Sequence, residues 1–203
     1  MAEGGPKRLV VAITGASGAI YGIRMLEVLA RIPDVETHLI LTAASRTTIA
    51  CETDTTVGEV KALADVVHHE KDLAAPISSG SFRTHGMVVV PCSVKTLSAV
   101  ANCDSDTLVA RAADVVLKER RRLVLVLRET PLHAGHLRLM TDATAAGAVI
   151  FPPVPAFYHR PLSVAEIVDQ TIARVLDQFD IETDLFTRWS GQPPARGGAG
   201  DAP

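Results

Sequence analysis

Short apolar runs and helically spaced apolar residues alternate along most of the chain. Residues 9–13 form an apolar, β-branched run, and residues 19–29 then repeat apolar side chains at helical spacing. The same patterns predict further strands at 37–41, 87–90, 123–127 and 149–151, and further helices at 57–67, around 97–100, and at 106–121 and 131–147. A last helix follows Ser163, with inward apolar residues at 167, 172, 175 and 176. Regular alternation of strand and helix is typical of a parallel sheet with helices packed on its faces.

Two sequence signals mark helix starts in the second half of the chain. Thr130 is a candidate N-cap with Pro131 in the first helical position, and Ser163 with Glu166 has the spacing of a capping box. Four prolines between 152 and 161 predict an extended loop before the last helix.

The chain is predicted to form one domain. Its 203 residues are typical of a single domain, and no repeat or polar linker divides residues 8–190. Residues 191–203 contain four glycines and three prolines and are predicted to be a disordered tail.

Composition and charge narrow the classes of partner. Lys and Arg number 20 against 23 Asp and Glu, and the net charge of −3 removes the attraction that general nucleic-acid binding or an anionic membrane needs. Neither a signal peptide nor a membrane-spanning stretch is visible, so the chain is predicted to be cytoplasmic. The cysteines lack a C-x-x-C pair and the histidines lack an H-E-x-x-H motif, so we expect neither a disulfide framework nor a metal site.

Ligands of parallel sheets bind where the strands end, and polar residues follow four of the predicted strands. The turn from Thr14 to Gly18 offers backbone N–H groups at a helix start, which favours an anion, although glycine there also serves a tight turn sterically. Residues 91–96 offer a second helix start that suits a phosphate or flavin, or an ordinary Ser/Thr N-cap. Thr42 follows the second strand in place of the acid that reads a dinucleotide ribose, which disfavours NAD.

Charged residues supply a further candidate site. Arg111 and Lys118 lie seven positions apart and fall on nearly the same helix face, which predicts a cationic stripe. The arginines at 120–122 continue the charge run, so an ordinary solvated face stays open as the alternative. Arg128 and Glu129 follow the 123–127 strand at the edge of the sheet where ligands bind. The alternative to a role in ligand binding is a surface ion pair, which would contribute little to stability.

Seven stretches in order resemble the flavin prenyltransferase family, the UbiX-type proteins that supply prenylated FMN to UbiD-type decarboxylases. They are residues 14–22, 52–54, 78–81, 91–97, 111–120, 128–133 and 155–161, within a collinear match from residue 8 to residue 189. One departure follows the second strand, where family members often read Ser-Lys-Ala-Ala and this chain reads Thr42-Ala43-Ala44-Ser45. The hydroxyl is kept and the lysine is lost, so the resemblance supports a role for Thr42 and none for position 43.

The resemblance implies an α/β subunit with a single Rossmann-like (flavodoxin-like) doubly wound parallel sheet and a C-terminal arm. Such subunits commonly assemble as a dodecamer in which neighbouring subunits complete the flavin sites. FMN is the implied cofactor. The residues that match the family's FMN contacts or the loop near the flavin ring are Gly15, Ala16, Ser17, Thr42, Ser79, Gly80, Ser93, Val94, Lys95, Thr96 and Arg128. Those that match contacts around the prenyl phosphate are Arg111, Lys118, Glu129, Tyr158 and Arg174.

The implied reaction transfers a dimethylallyl group from dimethylallyl phosphate to reduced FMN without a metal. Arginine and lysine around the phosphate would stabilise the charge on the leaving oxygens, and they would accept a monophosphate or a diphosphate. The catalytic candidates are Ser17 as a proton relay, Glu52 as an acidic active-site residue and Glu129 as proton donor to the phosphate. Trp189 matches an aromatic residue of the arm that covers the site.

Three competing functions remain to be weighed against this one. A flavin-dependent cysteine decarboxylase shares the flavin-binding fold, but the chain has no convincing match to the substrate motifs of that class. An FMN carrier explains the anion-binding turns and leaves the cationic residues without a common purpose. A short-chain dehydrogenase would use Thr14 and Gly15, but the later glycine spacing is wrong and the Tyr-x-x-x-Lys dyad is missing.

Overall fold

The computed structural model describes residues 5–189 and residue 191. One parallel sheet runs through it, with its strands in the order β3-β2-β1-β4-β5-β6. The strands are β1 (Lys7–Ile13), β2 (Val35–Leu41), β3 (Val66–His69), β4 (Gly86–Cys92), β5 (Arg122–Leu127) and β6 (Val149–Ile150). This is the strand order of doubly wound nucleotide-binding folds, so the predicted fold class is confirmed.

Helices cover both faces of the sheet. They are α1 (Ala19–Leu29), α2 (Ala43–Glu52), α3 (Val57–Ala62), α4 (Val94–Ala101), α5 (Leu108–Lys118), α6 (Ala134–Ala145) and α7 (Val164–Leu176). Side chains alternate across a strand, so Leu9, Val11 and Ile13 pack with α1 and α7, while Val10 and Ala12 pack with α4, α5 and α6. Two buried cores therefore fix the sheet from both sides and hold its carboxyl edge in place.

Most predicted elements are confirmed, and α1 has the predicted bounds. The prediction of one helix over 57–67 was wrong, because α3 ends at Ala62 and Val66–His69 is the edge strand β3. The Asp65 carboxylate causes this break by accepting hydrogen bonds from the N–H and hydroxyl of Thr37, at 2.7 and 2.8 Å, which places the chain beside β2. Helix α2 was missed because only Ser45 and Ile49 of it are buried, so it shows no apolar period.

Two predicted helix starts need correction. The helix predicted from Pro131 begins at Ala134, and its N-cap is His133, whose ring nitrogen Nδ1 accepts the N–H of Gly135 at 3.0 Å. Thr130 and Pro131 therefore lie before the helix. Ser163 does cap α7, but only half of the predicted box forms, because the Glu166 carboxylate accepts the N–H of Leu162 instead of that of Ser163.

The predicted division into a domain at 8–190 and a tail at 191–203 stays a prediction, since the tail lies outside the described residues except for Gly191. The prolines at 152–161 lie in a loop that joins β6 to α7, as predicted. Among the described helices, none has the length and apolar character required to cross a membrane.

Candidate active site

The strand order reverses between β1 and β4, which are parallel neighbours in the sheet, and Thr14 joins the ends of these two strands. Its buried hydroxyl donates to the carbonyl of Pro91 at 2.7 Å and accepts the N–H of Ser93 at 2.9 Å. The start of α4 is thereby fixed against the end of β1. Because the connections of β1 and β4 leave on opposite sides, a crevice opens here in doubly wound sheets.

A cavity of about 540 Å³ occupies this crevice, and we call it the sheet-edge cavity. Its lining includes the predicted flavin residues Gly15, Thr42, Ser93, Lys95 and Thr96. The lining residues that the sequence interpretation missed include Glu70, Asp104, Asp106, Ala99, Val109 and Ala110. Glu70 follows β3, so recognising that strand would have revealed an acid at a strand end.

The starts of α2 and α4 differ in how open they are to an anion. Both have hydroxyl N-caps, since Thr42 accepts the N–H of Ser45 at 3.1 Å and Ser93 accepts that of Thr96 at 3.3 Å. The first N–H of α2, on Ala43, donates to both oxygens of the Glu70 carboxylate. The described first turn of α4 carries no acid and includes Lys95. The positive end of α4 is therefore the better place for a phosphate.

The start of α1 is occupied by a carboxylate of the chain itself. Glu52 accepts the N–H groups of Gly18 and Ala19 at 2.8 and 3.0 Å. Burial raises the pKa of Glu52, but the hydrogen bonds from the Ser17 hydroxyl and these two N–H groups, with the charge of Arg128, outweigh it and hold the pKa below its ordinary value. Two other predicted residues thus act on the Glu52 carboxylate: Ser17 through its hydroxyl and Arg128 at longer range through its charge.

Two glycines of the 14–18 turn are required sterically. A Cβ on Gly15 would overlap the Cβ of Ala44 in α2, and Gly18 has a φ of 99°, where side chains are strained. Steric requirements therefore explain both glycines. Gly15 also lines the sheet-edge cavity.

A second group of predicted residues, the α5 cluster, consists of Ser79, Gly80, Arg111 and Lys118. Arg111 donates through Nε to the carbonyl of Ser78 at 3.2 Å, and a Cβ on Gly80 would lie 2.8 Å from the Lys118 nitrogen. Arg121, which the sequence interpretation left on a solvated face, holds this loop by donating to the carbonyl of Gly80 at 2.8 Å. None of the four cluster residues is among the described lining of the sheet-edge cavity.

A third group surrounds a cavity of about 740 Å³, the arm cavity, where the C-terminal arm (residues 182–189) meets α7. Predicted residues Tyr158, Arg174 and Trp189 line it. Trp189 meets Tyr158 edge to face, with ring centroids 5.9 Å apart. The lining also includes Gln170, Thr171, Phe186 and Arg188, which the sequence interpretation missed.

The remaining predicted residues lie at strand ends. Arg128 donates its backbone N–H to the carbonyl of Cys92, and Glu129 accepts the N–H of Thr130 at 2.9 Å. The α5 cluster and the arm cavity share no described residue with the sheet-edge cavity. Among the described residues, no three His, Cys, Asp or Glu side chains are grouped to hold a metal ion.

Comparison with known proteins decides between the competing functions. A family model described as Flavoprotein matches residues 2–178. The flavin prenyltransferase UbiX of Escherichia coli K12 is 62% identical over 187 residues, which are 91% of this chain and 99% of UbiX. The chain belongs to the flavin prenyltransferase family. The resemblance inferred from the seven stretches is confirmed.

Two solved structures share the fold of this chain at 50% identity or more. The crystal structure of AnUbiX in complex with FMN and dimethylallyl pyrophosphate has a TM-score of 0.90 and 56% identity, covering 92% of this chain and 99% of AnUbiX. A dodecameric FMN-dependent UbiX-like decarboxylase from Escherichia coli O157:H7 has a TM-score of 0.89 and 50% identity, covering 91% of this chain and 100% of that one. The fold of the flavin prenyltransferase family therefore extends over most of this chain.

The sheet-edge cavity suits a flavin mononucleotide in its chemistry. Ala99, Val109 and Ala110 give it an apolar wall, which matches an aromatic ring system. Lys95 and the start of α4 supply a cation and free N–H groups for a phosphate. This edge of the sheet thus offers groups that suit both the ring system and the phosphate of FMN.

Proposed function

We propose that the chain transfers a dimethylallyl group from dimethylallyl phosphate to reduced FMN, releasing phosphate and giving prenylated FMN for a UbiD-type decarboxylase. The observation that carries the proposal is the 62% identity to UbiX over 91% of the chain. It is supported by a sheet-edge cavity whose lining suits FMN and by Arg174 in the arm cavity, whose charge suits a prenyl phosphate. FMN is the cofactor, and the transfer needs no metal.

FMN is held by the sheet-edge cavity and the turns around it. Lys95, with Thr96 and the N–H groups of α4, takes the phosphate, while Gly15 and Ala16 let the backbone approach. The other contacts are assigned to Ser17, Thr42, Ser93, Val94, Arg128 and the loop residues Ser79 and Gly80. Reduced FMN supplies the nucleophilic atoms N5 and C6 that receive the prenyl group.

Cationic side chains replace the metal of other prenyltransferases. Dimethylallyl phosphate reacts only as its phosphate leaves, so fixed positive charges beside the departing oxygens lower the barrier. Arginine is suited to this task because its planar guanidinium can bind two oxygens at once. We assign this task to Arg111, Lys118, Arg128 and Arg174, with Tyr158 donating a hydrogen bond.

Two groups move protons in the proposed reaction. The Ser17 hydroxyl helps to lower the pKa of the Glu52 carboxylate, and we assign it the passage of a proton between that carboxylate and the flavin N5. Glu129 gives a proton to the leaving phosphate. Replacement of Glu129 by Gln removes this proton and keeps the shape of the side chain.

We propose that the enzyme is a homo-oligomer, a dodecamer, in which one site draws residues from several subunits. The separation of the α5 cluster and the arm cavity from the sheet-edge cavity supports this, because one subunit alone does not bring them to a common cavity. The UbiX-like neighbour from Escherichia coli O157:H7 is named a dodecamer. The UbiD-type partner and the cytoplasmic location stay predictions.

An anaerobic incubation with reduced FMN and dimethylallyl phosphate tests the proposed function. We expect the extracted flavin to gain the mass of one dimethylallyl group as phosphate is released. The diphosphate is supplied in a parallel reaction to identify the donor. Unmodified FMN with both donors would instead favour the decarboxylase or the carrier.

The variant Glu129→Gln tests the assigned proton donor in the same assay. We expect it to bind FMN like the wild type and to transfer the prenyl group about 100-fold or more slowly, the usual contribution of a general acid. Arg138→Gln, a change of an exposed side chain paired with Asp142 on α6, is the control and should react at the wild-type rate. An unchanged rate in Glu129→Gln would remove this residue from the mechanism.

A further inference from the structure

Asp177 lies between Arg174 and Arg188, two arginines that line the arm cavity. It accepts from Arg174 at 2.8 Å and from both terminal nitrogens of Arg188, at 2.6 and 2.9 Å. The Asp177 side chain is only 18% exposed, whereas those of Arg174 and Arg188 are 46% and 49% exposed. One mostly buried carboxylate therefore orients two guanidinium groups that remain open to solvent.

Arg188 is also fixed by the arm that carries it. Its guanidinium lies 5.6 Å from the centre of the Phe186 ring, and the neighbouring Trp189 packs edge to face on Tyr158. Phe186 in turn meets His159 edge to face at 6.3 Å. The arm is thus held to the 151–163 loop by rings and to α7 by the Asp177 ion pair.

Both arginines line the arm cavity together with Tyr158. A guanidinium carries five N–H donors, and Asp177 engages one nitrogen of Arg174 and two of Arg188, so donors remain on each. Glu182 is a second acid near Arg188 and acts on it at longer range without an ion pair. Two oriented cations at one cavity wall are suited to grip different oxygens of one phosphate.

We propose that Arg188 is a second phosphate-binding residue of the arm cavity and that Asp177 is the positioning residue that presents Arg188 and Arg174 to the same phosphate. The inference rests on the proposed function, since the ligand is the phosphate of the prenyl donor. Arg188 belongs to the arm, so the phosphate that it binds also fastens the arm over the cavity. Trp189, 56% exposed in this structure, becomes less accessible when the phosphate binds.

Binding is tested on the FMN-loaded assembly by calorimetric titration with dimethylallyl phosphate and, separately, with inorganic phosphate. The variants are Arg188→Gln, Arg188→Lys, Asp177→Asn and Asp177→Glu, with Arg138→Gln as the matched control for loss of an exposed arginine. Trp189 is the single tryptophan of the sequence, so quenching of its fluorescence by acrylamide reports the arm directly. FMN content and assembly size show that each variant is folded.

We expect Arg188→Gln to weaken binding of both probes about tenfold or more, the usual effect of losing a charged hydrogen-bond partner. We expect the KM for dimethylallyl phosphate to rise by a similar factor, and kcat at saturation and the affinity for FMN to change less than about twofold. The reason is that Arg188 binds the phosphate equally in the bound substrate and in the transition state, so its loss raises KM without lowering kcat. Arg188→Lys keeps the positive charge but loses the planar guanidinium that can donate two hydrogen bonds at once, so it should weaken binding less than Arg188→Gln does. Arg138→Gln binds like the wild type.

The Asp177 variants separate positioning from direct binding. Asp177→Asn should increase the quenching of Trp189 and raise the KM less than Arg188→Gln does, and Asp177→Glu should restore both values toward the wild type. The inference would be overturned if Arg188→Gln bound both probes like the wild type while the quenching of Trp189 increased. Arg188 would then only hold the arm in place and would not bind the phosphate. Failure of the proposed function looks different, since the wild type would then bind phosphate and yield only unmodified FMN.

Discussion

Glu52 shows how one side chain serves both the fold and the site. Its carboxylate caps the start of α1 through Gly18 and Ala19, and the same group receives the Ser17 hydroxyl. A helix start attracts negative charge, so the carboxylate is stabilised in the ionised form that a proton relay needs. The sequence placed Glu52 in the site only by resemblance, because Glu52 and Ser17 are 35 positions apart and no local pattern links them.

The variant Glu52→Gln tests the structural role of this carboxylate. We expect a loss of about 0.5–2 kcal/mol at neutral pH, as for removal of a good helix cap. The folded-state pKa of Glu52 lies below the ordinary value of 4.5, so its stabilisation is complete above that value and is lost as the pH falls through the lowered pKa. The gap between wild-type and variant thermal midpoints should therefore shrink below pH 4.5.

The control for this measurement is Glu27→Gln, near the other end of α1, where the acid pairs with Arg24 at 3.0 Å. Loss of that exposed pair costs about 0.5 kcal/mol or less. Midpoints are compared at equal protein concentration because assembly adds to apparent stability. A gap for Glu52→Gln that widens as the pH falls would contradict the assigned role.

At the scale of elements, α2 decides the shape of the sheet-edge cavity. It begins at Ala43, packs its residue Ala44 on Gly15, and brings Thr42 to the cavity wall. Its exposed surface is polar and its buried residues are few, so its stability comes from tertiary packing more than from an apolar stripe. This is why the hydrophobic pattern did not reveal it.

The variant Gly15→Ala tests the contact between the first turn and α2. The added methyl group would overlap Ala44, so we expect a destabilisation of about 1–3 kcal/mol and weaker FMN binding as α2 moves away. Gly58→Ala is the matched control, because Gly58 lies in α3 with its nearest neighbour at 3.8 Å. That change should stabilise the protein by about 0.5–1 kcal/mol. Thermal unfolding and FMN titration measure both effects, and a Gly15→Ala protein equal to the wild type in both would show that the contact is unimportant.

At the scale of the whole molecule, the predicted residues occupy three separate places. The sheet edge carries the FMN residues, α5 carries Arg111 and Lys118, and the arm cavity carries Tyr158 and Arg174. A single subunit thus holds parts of more than one active site if the proposed assembly is correct. Symmetric oligomers produce such sites because every subunit offers each of its surfaces to a neighbour.

Co-expression of two inactive variants tests this arrangement. Lys118→Ala removes a residue of the α5 cluster, and Arg174→Gln removes one of the arm cavity. If the two residues of a site come from different subunits, random assembly gives about a quarter of sites with both intact, and about a quarter of wild-type activity returns. The same variants purified separately and mixed after assembly are the control. A co-expressed mixture as inactive as either variant alone would place both residues of a site on one subunit.

The sequence by itself determined the architecture of the core. Buried β-branched runs such as residues 9–13 and helical spacing such as residues 19–29 depend on local periodicity, so they located five of the six strands and most of the helices. The family could also be recognised from the sequence, because the residues of a motif such as 14–22 are contiguous and can be read without knowledge of the fold. The missed edge strand β3 is half exposed, so neither face of it shows a continuous apolar pattern.

The tertiary structure alone decided which residues meet. Residues far apart in sequence come together at the carboxyl edge of the sheet, as Thr14 with Ser93 and Ala43 with Glu70, because the strand order places their ends side by side. The pairing of Arg174 and Arg188 through Asp177 likewise needs the arm to fold back on α7. Local sequence encodes the period of each element, whereas these contacts depend on how the elements pack.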